Sequence, residues 1–70
     1  MAYTATALTL REIVARRSFT ALAKAKAWAR QQAHEVVIRD DALPSRHIRR
    51  TLTNGRPHWI GSAPESWFKG

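Results

Sequence analysis

The chain has no cysteine. Disulfides and thiolate metal centres are therefore excluded as staples for its 70 residues. That matters at this length, because so small a body buries only about 60% of the surface its unfolded form exposes. Its net stability is expected to be no more than roughly 3–5 kcal/mol. Long apolar runs are missing too, and none approaches the ~20 residues of a membrane-spanning helix. The opening "MAYTATALTLREIV" lacks the basic stretch and unbroken apolar block of a secretory signal. The expected setting is cytoplasmic, with no membrane partner. The sequence also lacks a Gly-rich phosphate loop, a Gly-x-Ser-x-Gly turn and any Cys–His pair.

Acidic residues are scarce: five Asp and Glu face twelve Lys and Arg, a formal charge of +7. Such a field draws nucleic acid and acidic protein surfaces alike and speeds encounter with either. Most of the cations are arginine, which suits bidentate contact with phosphate or carboxylate.

The clearest element is "SFTALAKAKAWARQQAH". Its interior is built from strong helix formers, and Ser18 or Thr20 can cap it. The spacing predicts a helix over roughly 19–33, with Leu22, Ala25, Ala29 and Ala33 on one face and Ala21 and Trp28 flanking them. Lys24, Arg30 and Gln31 point away. Residues 3–17 read two ways. Thr9-x-x-Glu12 matches a capping box, with Leu10, Ile13 and Val14 at helical spacing. Tyr3, Thr4, Thr6, Ile13 and Val14 instead favour strands, and we read strands at 3–8 and 12–17 joined by a tight turn. "EVVIRD" alternates as a strand over 35–40. "DALPS" breaks it, and "RHIRRTL" and "RPHWIG" flank Asn54-Gly55, a type I′ hairpin signal. The order is ββαβββ: an α+β domain over residues 1–61, one helix on one face of a mostly antiparallel sheet, followed by an aromatic tail over 62–70.

A two-residue loop at Asn54-Gly55 fixes cross-strand pairs. Arg49 faces Ile60, Arg50 faces Trp59, Thr51 faces His58, Leu52 faces Pro57 and Thr53 faces Arg56. Ile48, Leu52 and Trp59 then share the helix side, with Arg50 placed to lie along the Trp59 ring as a cation–π partner. Val37, Arg39, Arg49, His58 and Ile60 share the uncovered side. A plain solvated face is more usually polar throughout. The mixed surface is therefore covered by the Trp67-Phe68 tail, covered by a second copy in a homodimer, or used for a partner.

Chemistry is thinly supported. His34 ends the predicted helix, where a cation suits the dipole. His47 and His58 are expected near one another on the open face, but two histidines without a third ligand at metal spacing make no metal site. Asp40-Asp41 reads as turn chemistry. His58 with Arg49 and Arg56 has the residue types of a small metal-independent ribonuclease, though no carboxylate base is paired with it. No catalytic residue, metal or cofactor is expected.

The succession "ARRSFTALAKAKAWARQQ", "EVVIRDD" and "NGRPHWIG" resembles small phage-encoded anti-CRISPR proteins, inhibitors of type I CRISPR surveillance complexes. The likeness spans residues 12–61 and rests on a capped alanine-rich helix followed by a meander ending in a Trp-bearing hairpin. It implies a non-catalytic binder acting in the bacterial host cytoplasm on an acidic surface of a protein or ribonucleoprotein complex such as a CRISPR-Cas effector. The expected partner-binding residues are Arg39, Arg46, Arg49, Arg56, His58, Ile60 and Trp67. A direct nucleic-acid-binding regulator is the alternative, with Trp67 or Phe68 stacking on bases.

Overall fold

The structure is a computed structural model that describes residues 2–53 and 56–69; the Asn54-Gly55 turn and the side chains of Leu52 and Thr53 lie outside the described residues. Strands β1 (Tyr3–Leu8) and β2 (Ile13–Phe19) lead into helix α1 (Leu22–Arg30). Strands β3 (Glu35–Asp40), β4 (His47–Thr53) and β5 (Arg56–Ile60) follow, and a 3-10 turn, Glu65–Phe68, closes the chain. The five strands form one antiparallel sheet in the order β2-β1-β3-β4-β5. This is the expected α+β arrangement. Since β1 runs against both of its neighbours, β2 and β3 run the same way, and α1 is the crossover between them.

The first hairpin explains why the capping-box pattern made no helix. Thr9 Oγ1 does accept hydrogen bonds from the backbone N–H of Arg11 and Glu12, at 3.3 and 3.2 Å. Thr9 N–H, however, donates to the Glu12 carbonyl at 2.8 Å, which closes a hairpin turn. Strand pairing then takes Ile13 and Val14, and β-branched residues suit it. The helix is shorter than its propensity allows. Phe19 is claimed by pairing with Tyr3 and packs its ring on Trp28, 6.0 Å between centroids. Ser18 therefore lies in β2, and α1 starts after Ala21 with no side-chain cap. At the other end Gln31 and Gln32 N–H turn back to the carbonyls of Trp28 and Ala29. Ala33 and His34 consequently fall beyond the helix and are exposed, and the basic residue of the last turn is Arg30.

The core lies on one side of the sheet. Ala5, Ala7, Val36, Ile38 and Ile48 are fully buried beneath Ala25 and Ala29 of α1. Alanine on both layers lets the helix sit close, and the branched side chains of β3 and β4 supply the bulk. Burying each of the latter contributes about 1.5–3 kcal/mol.

The C-terminal segment is part of this core, not a tail beside a 1–61 domain. Ala63 N–H donates to the His47 carbonyl at 3.0 Å. Trp67, 7% exposed, sets its ring edge-on to Tyr3 with centroids 5.4 Å apart. Lys26 ties the segment to the helix, its Nζ donating to the carbonyls of Trp67 and Lys69 at 2.8 and 2.9 Å. Gly61 makes the approach possible: its φ is +149°, and a Cβ there would overlap the His47 carbonyl oxygen.

Candidate functional site

Cross-strand pairing builds the uncovered face in rows. Arg16 pairs with Thr6, Thr6 with Val37, Val37 with Arg49 and Arg49 with Ile60, so one row crosses all five strands. The next row holds Ser18, Thr4, Arg39 and His47. On the other flank lie Ile13, Leu8 and Glu35, with His58 opposite Thr51. Arg56, opposite Thr53, extends the basic stretch along β5. Ile13 and Ile60 are 55% and 50% exposed, values that mark open apolar surface on a folded chain.

The register of the β4–β5 hairpin is the expected one, pair for pair. Arg39, Arg49, His58 and Ile60 therefore do share the open side. Arg46 does not join them in the rows: it precedes β4, where its carbonyl accepts from Asp40 N–H at 3.1 Å. Trp67 is on the opposite side, in the core, and is no exposed anchor. Its burial also removes the tail as a cover for the open face. The cation over Trp59 is Lys26, with Nζ 5.4 Å from the ring centroid, and Arg50 is not its partner. Sequence reasoning passed over Lys26 because a lysine in an alanine-rich helix is ordinarily solvated; only the returning C-terminal segment covers it.

Arg49 is partly neutralised. Its Nη2 lies 2.5 Å from Glu35 Oε2, and the two side chains are 46% and 28% exposed. The hydrogen bond from Arg49, helped by its charge and by a bond from Thr51, holds Glu35 below the ordinary carboxylate value against the opposing effect of burial. The same hydrogen bond raises Arg49. Arg39 Nη1 donates to the Pro44 carbonyl at 3.1 Å. Arg11 and Arg16, in contrast, have no side-chain partner among the described residues; they stand with Arg39 at the β1–β2 end of the face, while Arg56, likewise without one, is the single arginine of β5. The missed residues are thus Leu8, Ile13 and Arg16. No Asn-Gly turn pins the register there, and a bulge between Ala7 and Leu8 shifts it, so alternation alone could not place them.

The histidines are separated. His58 lies opposite Thr51, and His47 is four residues back along β4, about 13 Å at roughly 3.3 Å per residue. His47 Nδ1 instead lies 3.0 Å from Ser62 Oγ and 3.3 Å from the Ser45 carbonyl. The Ser62 hydroxyl donates to that same carbonyl, so its proton is directed away from the imidazole and the pair is a loop clasp, without the geometry of an activated nucleophile. Asp40 Oδ1 accepts from Ala42 N–H at 2.9 Å, the expected turn chemistry, whereas Asp41 Oδ1 accepts from the Thr4 hydroxyl at 2.6 Å, a long-range bond that ties the segment after β3 to β1. No group of three or more His, Cys, Asp or Glu converges on a metal position among the described residues. No helix among them is long and apolar enough to cross a membrane. Comparison with protein-family models, curated proteins and solved structures finds no match.

Proposed function

We propose that this protein acts by binding, docking the open face of its sheet on an acidic surface of another protein or of a ribonucleoprotein complex. One observation carries the choice of a protein surface over bare nucleic acid. The three Trp, two Phe and single Tyr all belong to the core or pack against it, which leaves the open face with arginines, aliphatic side chains and the imidazoles of His47 and His58, and with no Trp, Tyr or Phe. Sheet surfaces that hold single strands rely on aromatic platforms. Arginine interleaved with Val37, Ile13 and Ile60 is instead the composition of a docking patch, in which charge orients the encounter and apolar anchors hold it. The resemblance to anti-CRISPR proteins makes a type I CRISPR surveillance complex the first partner to try, with the protein as a stoichiometric inhibitor and no catalytic step.

The deciding measurement is anisotropy of labelled DNA and RNA at about 50 and about 200 mM salt. Phosphate-driven binding through six to ten contacts would weaken about 10³–10⁵-fold over that range. Weak binding at both salts is the expected result. Submicromolar binding that collapses with salt would replace this reading with a nucleic-acid regulator, and shortened RNA would make it a nuclease.

A further inference from the structure

The open face is not uniform. Its β1–β2 end holds a shallow groove of about 470 Å³, within the range of about 300–1,000 Å³ typical of ligand sites. Leu8, Ile13 and Val37 give it apolar lining, and Arg11, Arg16 and Arg39 supply three positive charges against the single carboxylate of Glu12. The cross-strand pairs Thr6–Val37 and Leu8–Ile13 hold these side chains in fixed register. Leu10, fully exposed at the hairpin tip, forms a lip.

Resting on the reading of the open face as a docking surface, we infer that this groove is where the partner is held. The occupant is an acidic peptide segment of the partner protein that carries one or two aliphatic side chains between carboxylates. The charge pattern selects it. Arg11 and Arg16 have no side-chain partner among the described residues and stand with Arg39 around one groove, whereas on the β4–β5 hairpin Arg49 already holds Glu35 and Arg56 is a single arginine. Guanidinium groups accept carboxylates in bidentate geometry, and the three aliphatic residues between them match an apolar side chain better than a sugar or a base. The β4–β5 end then contributes long-range attraction rather than grip.

The test is titration of the isotope-labelled protein with a peptide of alternating Glu, Asp and Leu, followed by amide chemical shifts. The expected result is saturable binding with Kd below about 1 mM. Shifts should gather on residues 6–16 and 37–39, and replacing the peptide's leucines by serine should weaken binding at least about tenfold. Arg16→Glu should weaken it by a similar factor, and Ile13→Ser less, with both variants keeping the wild-type amide dispersion. Shifts centred on Arg49, His58 and Ile60 would overturn the groove while keeping the open face as the docking surface. Equal binding of the serine peptide would also overturn it, since charge alone would then suffice. Failure of the peptide to perturb the open face at all would remove both readings together.

Discussion

On the covered side of the sheet the central side chains are Ala5, Ala7, Val36, Ile38 and Ile48, sealed beneath the helix and fully buried. One residue along each strand, on the open side, stand Thr6, Arg16, Val37, Arg49 and Ile60. The backbone is common to both sets, so the difference is purely one of alternation. Every Trp, Tyr and Phe sits with the first set, and most of the arginines on the strands sit with the second. A chain this short has little apolar material, and placing all of its Trp, Tyr and Phe on one side leaves the other free to be selected for contact. Folding and binding are thereby assigned to separate faces.

The largest test of that division compares one substitution from each side. Trp67→Ala empties a core position that Tyr3 and Lys26 pack around, and should cost about 3–5 kcal/mol, enough to unfold a domain of this size. Ile60→Ser, on the open face, should change stability by no more than about 0.5 kcal/mol. Urea denaturation of the two variants beside the wild type measures both. A large loss for Ile60→Ser would mean that a second copy covers the open face in solution and that the two sides are not independent.

How much of this was legible in the sequence follows the same division. The order of elements could be read because alternation and helix propensity are local, and the β4–β5 pairing because a two-residue Asn-Gly connection allows only one register. The open end near Arg16 could not be read, since the register shifts between Ala7 and Leu8 and simple alternation does not carry across such a shift. Neither could the role of Trp67. Residues 62–70 have no periodicity of their own, and their place depends on a long-range bond to Lys26, 41 positions away along the chain. The helix ends were misjudged for a related reason: pairing of Phe19 with Tyr3 outweighs the capping preference of Ser18, a tertiary term that propensity does not contain.

A smaller effect is expected at Lys26, the one cation enclosed on the covered side among the described residues. Lys26→Met keeps the apolar stem but leaves the carbonyls of Trp67 and Lys69 without this donor, a loss of about 1–3 kcal/mol. Its pH dependence gives a sharper check. Burial, and after it the charge of Arg30, lowers the Lys26 pKa below 10.5. Between that lowered value and the ordinary one, the unfolded chain holds a proton that the folded chain lacks, so this group's contribution to stability rises with pH. The gap in Tm between wild type and Lys26→Met should therefore widen from about pH 8 to about pH 10. A gap that stays constant would mean the ammonium is better solvated than its enclosure implies, and one that narrows would mean the Trp67 and Lys69 carbonyls hold it more strongly than water does.

The smallest effect belongs to the open face's own ion pair. Glu35 is held below the ordinary carboxylate value, first by its hydrogen bond from Arg49. The folded state therefore releases this proton more readily than the unfolded one. The stabilisation is complete above the unfolded value and disappears as pH falls through the folded one. Because both partners are substantially exposed, the pair is worth at most about 1 kcal/mol and is screened by salt. Glu35→Gln should thus lower Tm slightly at neutral pH and low salt, and the difference should vanish once the medium is acidic enough to protonate Glu35 in both states. The same variant frees Arg49, so it should strengthen capture of an acidic partner by the β4–β5 end while it weakens the fold. If instead acidic-peptide binding is unchanged, the grip lies wholly with the unpaired arginines beside β1 and β2, and the pair on β3 and β4 serves only to hold two strands in register.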